Sequence, residues 1–214
     1  MTFETFKDLI PKIKKMSVPG ASSHFIMVPE MRTQELNTIK IEERNPRHAA
    51  VMMLLYPKDE QTHIALILRP EYEGVHSGQI ALPGGKAETY DSSFTATALR
   101  ETQEEIGVMT TTVDVLKSLT KVYIPPSNFW VHPFLGWTKS RPDFVLQKEE
   151  VAKVIEVPLL ELLSDHTVST QILSTSYAQN VKVPSFKLND YIVWGATAMM
   201  LSELKIFIKT LLEQ

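Results

Sequence analysis

The chain has 214 residues, 43% of them apolar and 22% charged, so it can bury a core and is neither disordered nor fibrous. Its 22 basic and 25 acidic residues leave a net charge of -3, which excludes a nucleic-acid partner bound by neutralising many phosphates. The absence of cysteine excludes a disulfide scaffold, a Cys-based zinc site and a thiol nucleophile, and the longest apolar run, Ala49 to Tyr56, falls far short of the ~20 residues that span a bilayer.

The N-terminus carries charges where a signal peptide needs an apolar stretch, so a soluble, cytoplasmic protein with no membrane partner is expected. Phe3, Phe6, Ile10, Ile13 and Met16 recur at helical spacing, and Pro11 should kink or interrupt that helix. Residues 1–45 read as an N-terminal extension packing on the main domain, with no function legible in it. From residue 46 onward short strands set in. Ala49–Tyr56 suits a strand buried on both faces, and His63–Leu68 follows a turn. Asp91 to Gly107 has no internal Gly or Pro, begins with cap candidates Asp91, Ser92 and Ser93 and stops at Gly107, which predicts a helix. Further strands are predicted over Thr111–Ile124, Phe129–Trp137 and Glu150–Val157, a short helix over Leu159–Leu163, irregular strand pairs over Thr167–Phe186 and a terminal amphipathic helix over Ile192–Leu212. The alternation makes residues 46–214 one α/β domain.

The chemistry is concentrated in Leu82-Pro83-Gly84-Gly85-Lys86 and in Arg100-Glu101-Thr102-Gln103-Glu104-Glu105-Ile106-Gly107. On a helix Glu101, Glu104 and Glu105 stand at i, i+3 and i+4 and repel one another, and a hard divalent cation converts that repulsion into binding. Ala98, Leu99, Thr102 and Ile106 form the stripe that docks the helix, leaving the acidic face solvated at the edge of a cleft. Glycines at 84 and 85 let backbone approach closely, so a carbonyl there can reach a metal or a phosphate. Acidic pairs on helices are usually solvated faces. The joint spacing argues otherwise, because seven fixed identities (two Gly, Arg, three Glu, Gly) arise by chance at roughly one in 10⁹ per register.

This segment resembles the Nudix box, a loop–helix–loop that binds Mg²⁺ or Mn²⁺ and hydrolyses a diphosphate linked to another moiety. The resemblance implies a Nudix-type α/β/α sandwich with a mixed central sheet. Asp91 lies six residues after Gly85 and Ser92 eight before Arg100, positions that the general box fills with a single carboxylate, so one residue is inserted here. With Thr97 to Thr102, that insertion is similar to the coenzyme A diphosphatase branch, with Asp91 replacing the usual first glutamate. Arg69 and Gly78, nine positions apart, and Gln79-Ile80-Ala81-Leu82-Pro83 resemble that branch's upstream signature, except that Pro70 replaces a serine and Gly74 an arginine. Tyr123 to Ser127, His132-Pro133-Phe134 and Trp194 to Ala198 extend the likeness.

The resemblance implies cleavage of coenzyme A to 3′,5′-ADP and 4′-phosphopantetheine. Glu101 and Glu105 are the expected metal ligands, with the Gly84 carbonyl a third, Glu104 a ligand or base, Arg100 the cation that holds the carboxylates and Glu150 a late-strand acid. Arg69, Lys86, His76 and Ser127 are the expected substrate contacts, Arg32 and Lys121 further phosphate candidates, and Phe129, Trp130 and Tyr123 candidates to stack on adenine or to pack as core and rim. The partner is a small-molecule substrate, with a homodimer left open. Two other readings stand beside this one: a Nudix hydrolase of another nucleoside diphosphate such as ADP-ribose, which Gly74 permits, and a catalytically silent nucleotide-sensing module.

Overall fold

The computed structural model describes residues 1–29, 32, 33, 38–70, 78–175 and 178–213. Strand β1 (Arg47–Lys58) explains the unbroken apolar run. Ala49, Val51, Met53 and Leu55 enter one core, Ala50, Met52, Leu54 and Tyr56 another, and all eight are buried. Because strand side chains alternate sides, a sheet covered on both faces needs apolar residues at every position.

β1 turns into β2 (Gln61–Leu68) through Asp59 and Glu60, whose φ values of 48° and 62° match the left-handed pair of a two-residue hairpin. β3 (Ile80–Ala81) and β8 (Lys153–Pro158) pair with β2. β4 (Gly84–Lys86) pairs with β1, and β5 (Asp114–Ser118) and β6 (Val122–Ile124) pair with β7 (Phe129–Trp137). The β1–β7 ladder is parallel and the rest are antiparallel, so the sheet is mixed. Helix α1 (Phe3–Lys15) and, at the C-terminus, α5 (Gly195–Leu212) cover the Val51 face, while α3 (Phe94–Ile106) covers the Met52 face. The architecture is therefore the α/β/α sandwich that the resemblance implies. Helix α2 (Ser22–Phe25) lies on α5, and α4 (Leu159–Leu163) follows β8. β9 (Val168–Thr175), β10 (Ala178–Leu188) and β11 (Tyr191–Trp194) form a separate antiparallel sheet.

Four sequence expectations need correction. Pro11 is exposed and α1 runs through it. An interior proline costs about 3 kcal/mol, whereas burying Phe3, Phe6, Leu9 and Ile13 contributes ~1.5–3 kcal/mol each, so packing wins. Thr111–Ile124 is not one strand. Thr110–Thr112 is a 3₁₀ turn, and the chain breaks again between β5 and β6. The terminal helix begins at Gly195, because Tyr191–Trp194 form a hairpin with β10. Glu150 precedes β8, since its N–H and that of Val151 both donate to Gln147 O, closing a turn that an extended strand cannot contain.

Candidate active site

β4 and α3 meet face to face. The Ser93 hydroxyl caps α3 by accepting from Ala96 N–H, and Gly107, at φ 74°, ends it with its N–H on Gln103 O. Val145 N–H and Gln147 N–H then donate to Ile106 O and Glu105 O, which hangs the 145–151 loop on the end of the helix and brings Glu149 and Glu150 to the same cavity as Glu101 and Glu105. Gly84 and Gly85 pair with Val51 and Ala50. A Cβ at Gly84, whose φ is 150°, would strike the Ala50 carbonyl, so that site requires glycine, and one at Gly85 would displace the Glu101 carboxylate.

Arg100 spends all five of its N–H donors here. Nε and Nη2 hold the two Asp91 oxygens at 2.9 Å each, Nη1 holds Glu101 at 2.8 Å and Glu104 at 2.7 Å, and Nη2 also reaches Lys86 O at 3.1 Å. Asp91 further accepts from Glu88 N–H and the Thr97 hydroxyl, and its bonds to Arg100 hold its carboxyl well below the usual range. Asp91 thus anchors the arginine that steers the box carboxylates.

Glu105 is 3% exposed and has one backbone partner, Gly84 N–H at 2.8 Å. Burial pushes its pKa up to about 8, against the pull of Gly84 N–H and Arg69, and repulsion from Glu101 and Glu150 adds to the rise. Burial also raises Glu101, against Arg100, with Glu104 and Glu150 pushing the same way. The expectation of a solvated acidic face fails at Glu105, because β4 and the 145–151 loop cover it. Glu104 parts company with the other two: it is 55% exposed, holds Arg100 and does not line the cavity.

The cavity measures about 800 Å³. Arg69, Ser127, Phe129 and Tyr123 line it, and Lys86 stands at its rim, exposed and 3.2 Å from Glu88. His76 and Gly74 fall outside the described residues. Trp130 packs under Lys121, whose Nζ lies 4.2 Å from the ring centre, so neither belongs to the lining. Gly84 shows its amide bound to Glu105, and a role for its carbonyl stays a proposal. Sequence reasoning missed Glu149 and the stretch Val28–Pro29 as wall residues and passed over Asp91 as an anchor, although its position at the box spacing was a usable signal for the last.

Comparison with known proteins now decides the family. The NUDIX domain profile matches residues 46–174, more than half of the chain. The chain belongs to the Nudix hydrolase family. It is 35% identical over 161 residues to a protein of Photorhabdus laumondii described as an uncharacterized Nudix hydrolase NudL, covering 75% of this chain and 84% of that one. A Yersinia enterocolitica protein of the same description is 40% identical over 119 residues, 56% of this chain and 60% of the relative's length. Among solved structures, the Nudix hydrolase RenU of M. smegmatis superposes with a TM-score of 0.54 at 15% identity, over 77% of this chain and 87% of that one. A C. elegans Ap4A hydrolase gives 0.52 at 14%, over 77% and 98%. At such identities the structural likeness concerns the fold.

Nudix hydrolases generally need divalent metal ions. The residues of this Nudix hydrolase fit one. Glu101, Glu105 and Glu150 line one cavity, Glu150 disfavours charge on the other two, and Arg100 is already saturated, so Arg69 faces more carboxylates than it can neutralise. Among the described residues no three acidic or imidazole groups converge on one point in this conformation, since Glu101 and Glu104 lie on Arg100 and Glu105 on Gly84. Among the described residues no helix is long and apolar enough to cross a membrane.

Proposed function

We propose that this Nudix hydrolase cleaves the diphosphate of coenzyme A or its derivatives into 3′,5′-ADP and 4′-phosphopantetheine. The observation that carries this choice is the mixed lining of the cavity. Glu101, Glu105, Glu150, Arg69 and Lys86 line it together with the apolar Val28, Ile80, Trp194, Met199 and Met200. A diphosphate flanked on one side by a long, largely uncharged chain suits such a space, whereas a terminal ribose would leave its hydroxyls against apolar surface at a cost.

Water attacks phosphorus, one bridging P–O bond breaks, and the proton lost by the water passes to a carboxylate. Bound by Glu101 and Glu105, with Glu104 and the Gly84 carbonyl as further donors, a Mg²⁺ or Mn²⁺ ion supplies neutralisation of phosphate charge and a lowered pKa for the attacking water. Arg100, itself fixed by Asp91, positions Glu101 and Glu104. Glu150 takes the proton, because it sits near Glu101 and Glu105 on a turn rather than within a strand. Arg69 pairs with the 3′-phosphate, with Lys86 second, and Ser127 contacts the same end. Phe129 or Tyr123 stacks on adenine.

The test is incubation with coenzyme A, dephospho-coenzyme A, ADP-ribose and a dinucleotide panel plus Mg²⁺, with products identified by mass. Coenzyme A should give the two named products, and dephospho-coenzyme A a specificity constant at least about tenfold lower, the effect of a lost charge-assisted contact. Arg69→Gln should narrow that gap. Faster turnover of ADP-ribose than of coenzyme A would overturn the substrate and leave the hydrolase standing.

A further inference from the structure

Glu203 sits in the middle of α5, 0% exposed, one turn beyond the cavity-lining Met199 and Met200. Its carboxylate is saturated. Oε1 accepts from Gly20 N–H at 3.1 Å and the Thr120 hydroxyl at 2.5 Å, while Oε2 accepts from Thr120 N–H at 3.0 Å and faces His24 Nε2 at 3.2 Å. Three chain segments remote in sequence therefore meet on one side chain, and each leads to the cavity. Gly20 and His24 precede Val28, Pro29 and Arg32, Thr120 precedes Tyr123 and Ile124, and α5 carries Met199 and Met200.

Stability alone does not call for this arrangement. Replacing a buried ionic group by an apolar one of similar volume is often neutral or favourable, and the surroundings of Glu203 on α5, Met200, Leu201, Leu204 and Phe207, are buried and apolar. What a carboxylate with four partners supplies, and a leucine does not, is one fixed position for the segments that bond to it.

We propose that Glu203 and His24 are positioning residues for substrate binding, and that the N-terminal segment from Gly20 to Pro29 is a wall of the substrate site whose placement they set. The inference rests on this cavity being the one that takes the diphosphate substrate, and not on coenzyme A being that substrate.

The experiment measures kcat and KM for Glu203→Leu, His24→Gln and Thr120→Ser, with whichever of coenzyme A, ADP-ribose or a diadenosine polyphosphate the unaltered enzyme turns over. Glu203→Leu and His24→Gln should raise KM by about tenfold with kcat nearly unchanged, and Thr120→Ser, which keeps both donors, should match the parent. A packing role alone would lower the active fraction and leave KM where it was, and an unchanged KM overturns the proposal. A second measurement uses the unaltered enzyme in EDTA, so that nothing is cleaved and no variant has to fold. Hydrogen exchange of the amides of residues 20–28 should slow when each of the three compounds is added in turn and binds. Slowing around β4 and α3 without slowing at 20–28 overturns the proposal. Binding without turnover of any compound would defeat the hydrolase reading alone, because the exchange result stands independently of cleavage.

Discussion

Glu105 on α3 and Glu203 on α5 are both buried carboxylates, 3% and 0% exposed, and their surroundings treat them in opposite ways. Glu105 receives one backbone N–H and faces other carboxylates, so burial drives its pKa up to about 8. Glu203 is desolvated too, but hydrogen bonds from His24 and Thr120 outweigh that and leave it below its ordinary value. Burial sets the cost of the charge, and the supply of donors decides whether the fold meets it. A carboxylate left short of donors at a cavity is suited to a cation that arrives with the substrate, and one saturated by donors from two other segments is suited to holding them.

The largest expected effect breaks the poorly supplied end of the comparison. Glu105→Gln keeps an acceptor for Gly84 N–H but removes the charge, and kcat at saturating Mg²⁺ should fall by about a thousandfold, ~4 kcal/mol of lost transition-state stabilisation. Full turnover would remove Glu105 from the site. Next is Arg100→Met, which leaves Asp91, 6% exposed, without its counter-ion. Urea unfolding should show a loss of about 3 kcal/mol, in the range for stripping a buried carboxylate of its partner, and a loss under about 1 kcal/mol would show that the Glu88 amide and Thr97 hydroxyl suffice.

The same two glutamates should give stability profiles of opposite sign. For Glu105 the folded pKa is raised, so its contribution is complete below the ordinary carboxylate value of 4.5 and is lost as pH rises through about 8, since the unfolded chain gives up the proton first. For Glu203 the folded pKa is lowered, so its contribution is present above the ordinary value and is lost as pH falls below it. Thermal unfolding in EDTA across pH should therefore decline between about pH 4.5 and 8 in the parent and flatten there in Glu105→Gln, while Glu203→Gln should flatten only the acid side. Identical profiles for all three proteins would contradict the contrast. The smallest effect belongs to Glu104, exposed and paired only with Arg100, where Glu104→Gln should change stability by less than about 1 kcal/mol. Its turnover should fall by about tenfold if Glu104 is a ligand or base, and an unchanged rate would confine it to the Arg100 network.

Sequence made local structure and the box legible. The strand at Phe129–Trp137 and the helix at Leu159–Leu163 appear with the expected bounds, and the box helix ends at Gly107 because only a left-handed residue fits there. Periodicity put Glu101 and Glu105 on one face but could not give their depth, because Glu105 is buried by β4 and by a loop some forty residues downstream. The acidic face also divides, with Glu104 turned outward along Arg100 and Glu101 lying in the space that the glycine at 85 leaves open. Least legible was the segment after α1. Its place beside the cavity depends on Glu203, 183 residues from Gly20, and no local pattern records a contact at that distance.

On the proposed mechanism the donor-poor carboxylates on α3 form the cation site and the saturated carboxylate on α5 takes no part in it. Isothermal titration of Mn²⁺ into the parent, Glu105→Gln and Glu203→Leu separates the two. The parent and Glu203→Leu should bind the ion alike, and Glu105→Gln should lose most of that binding. Unchanged binding in Glu105→Gln, or a loss confined to Glu203→Leu, would contradict it.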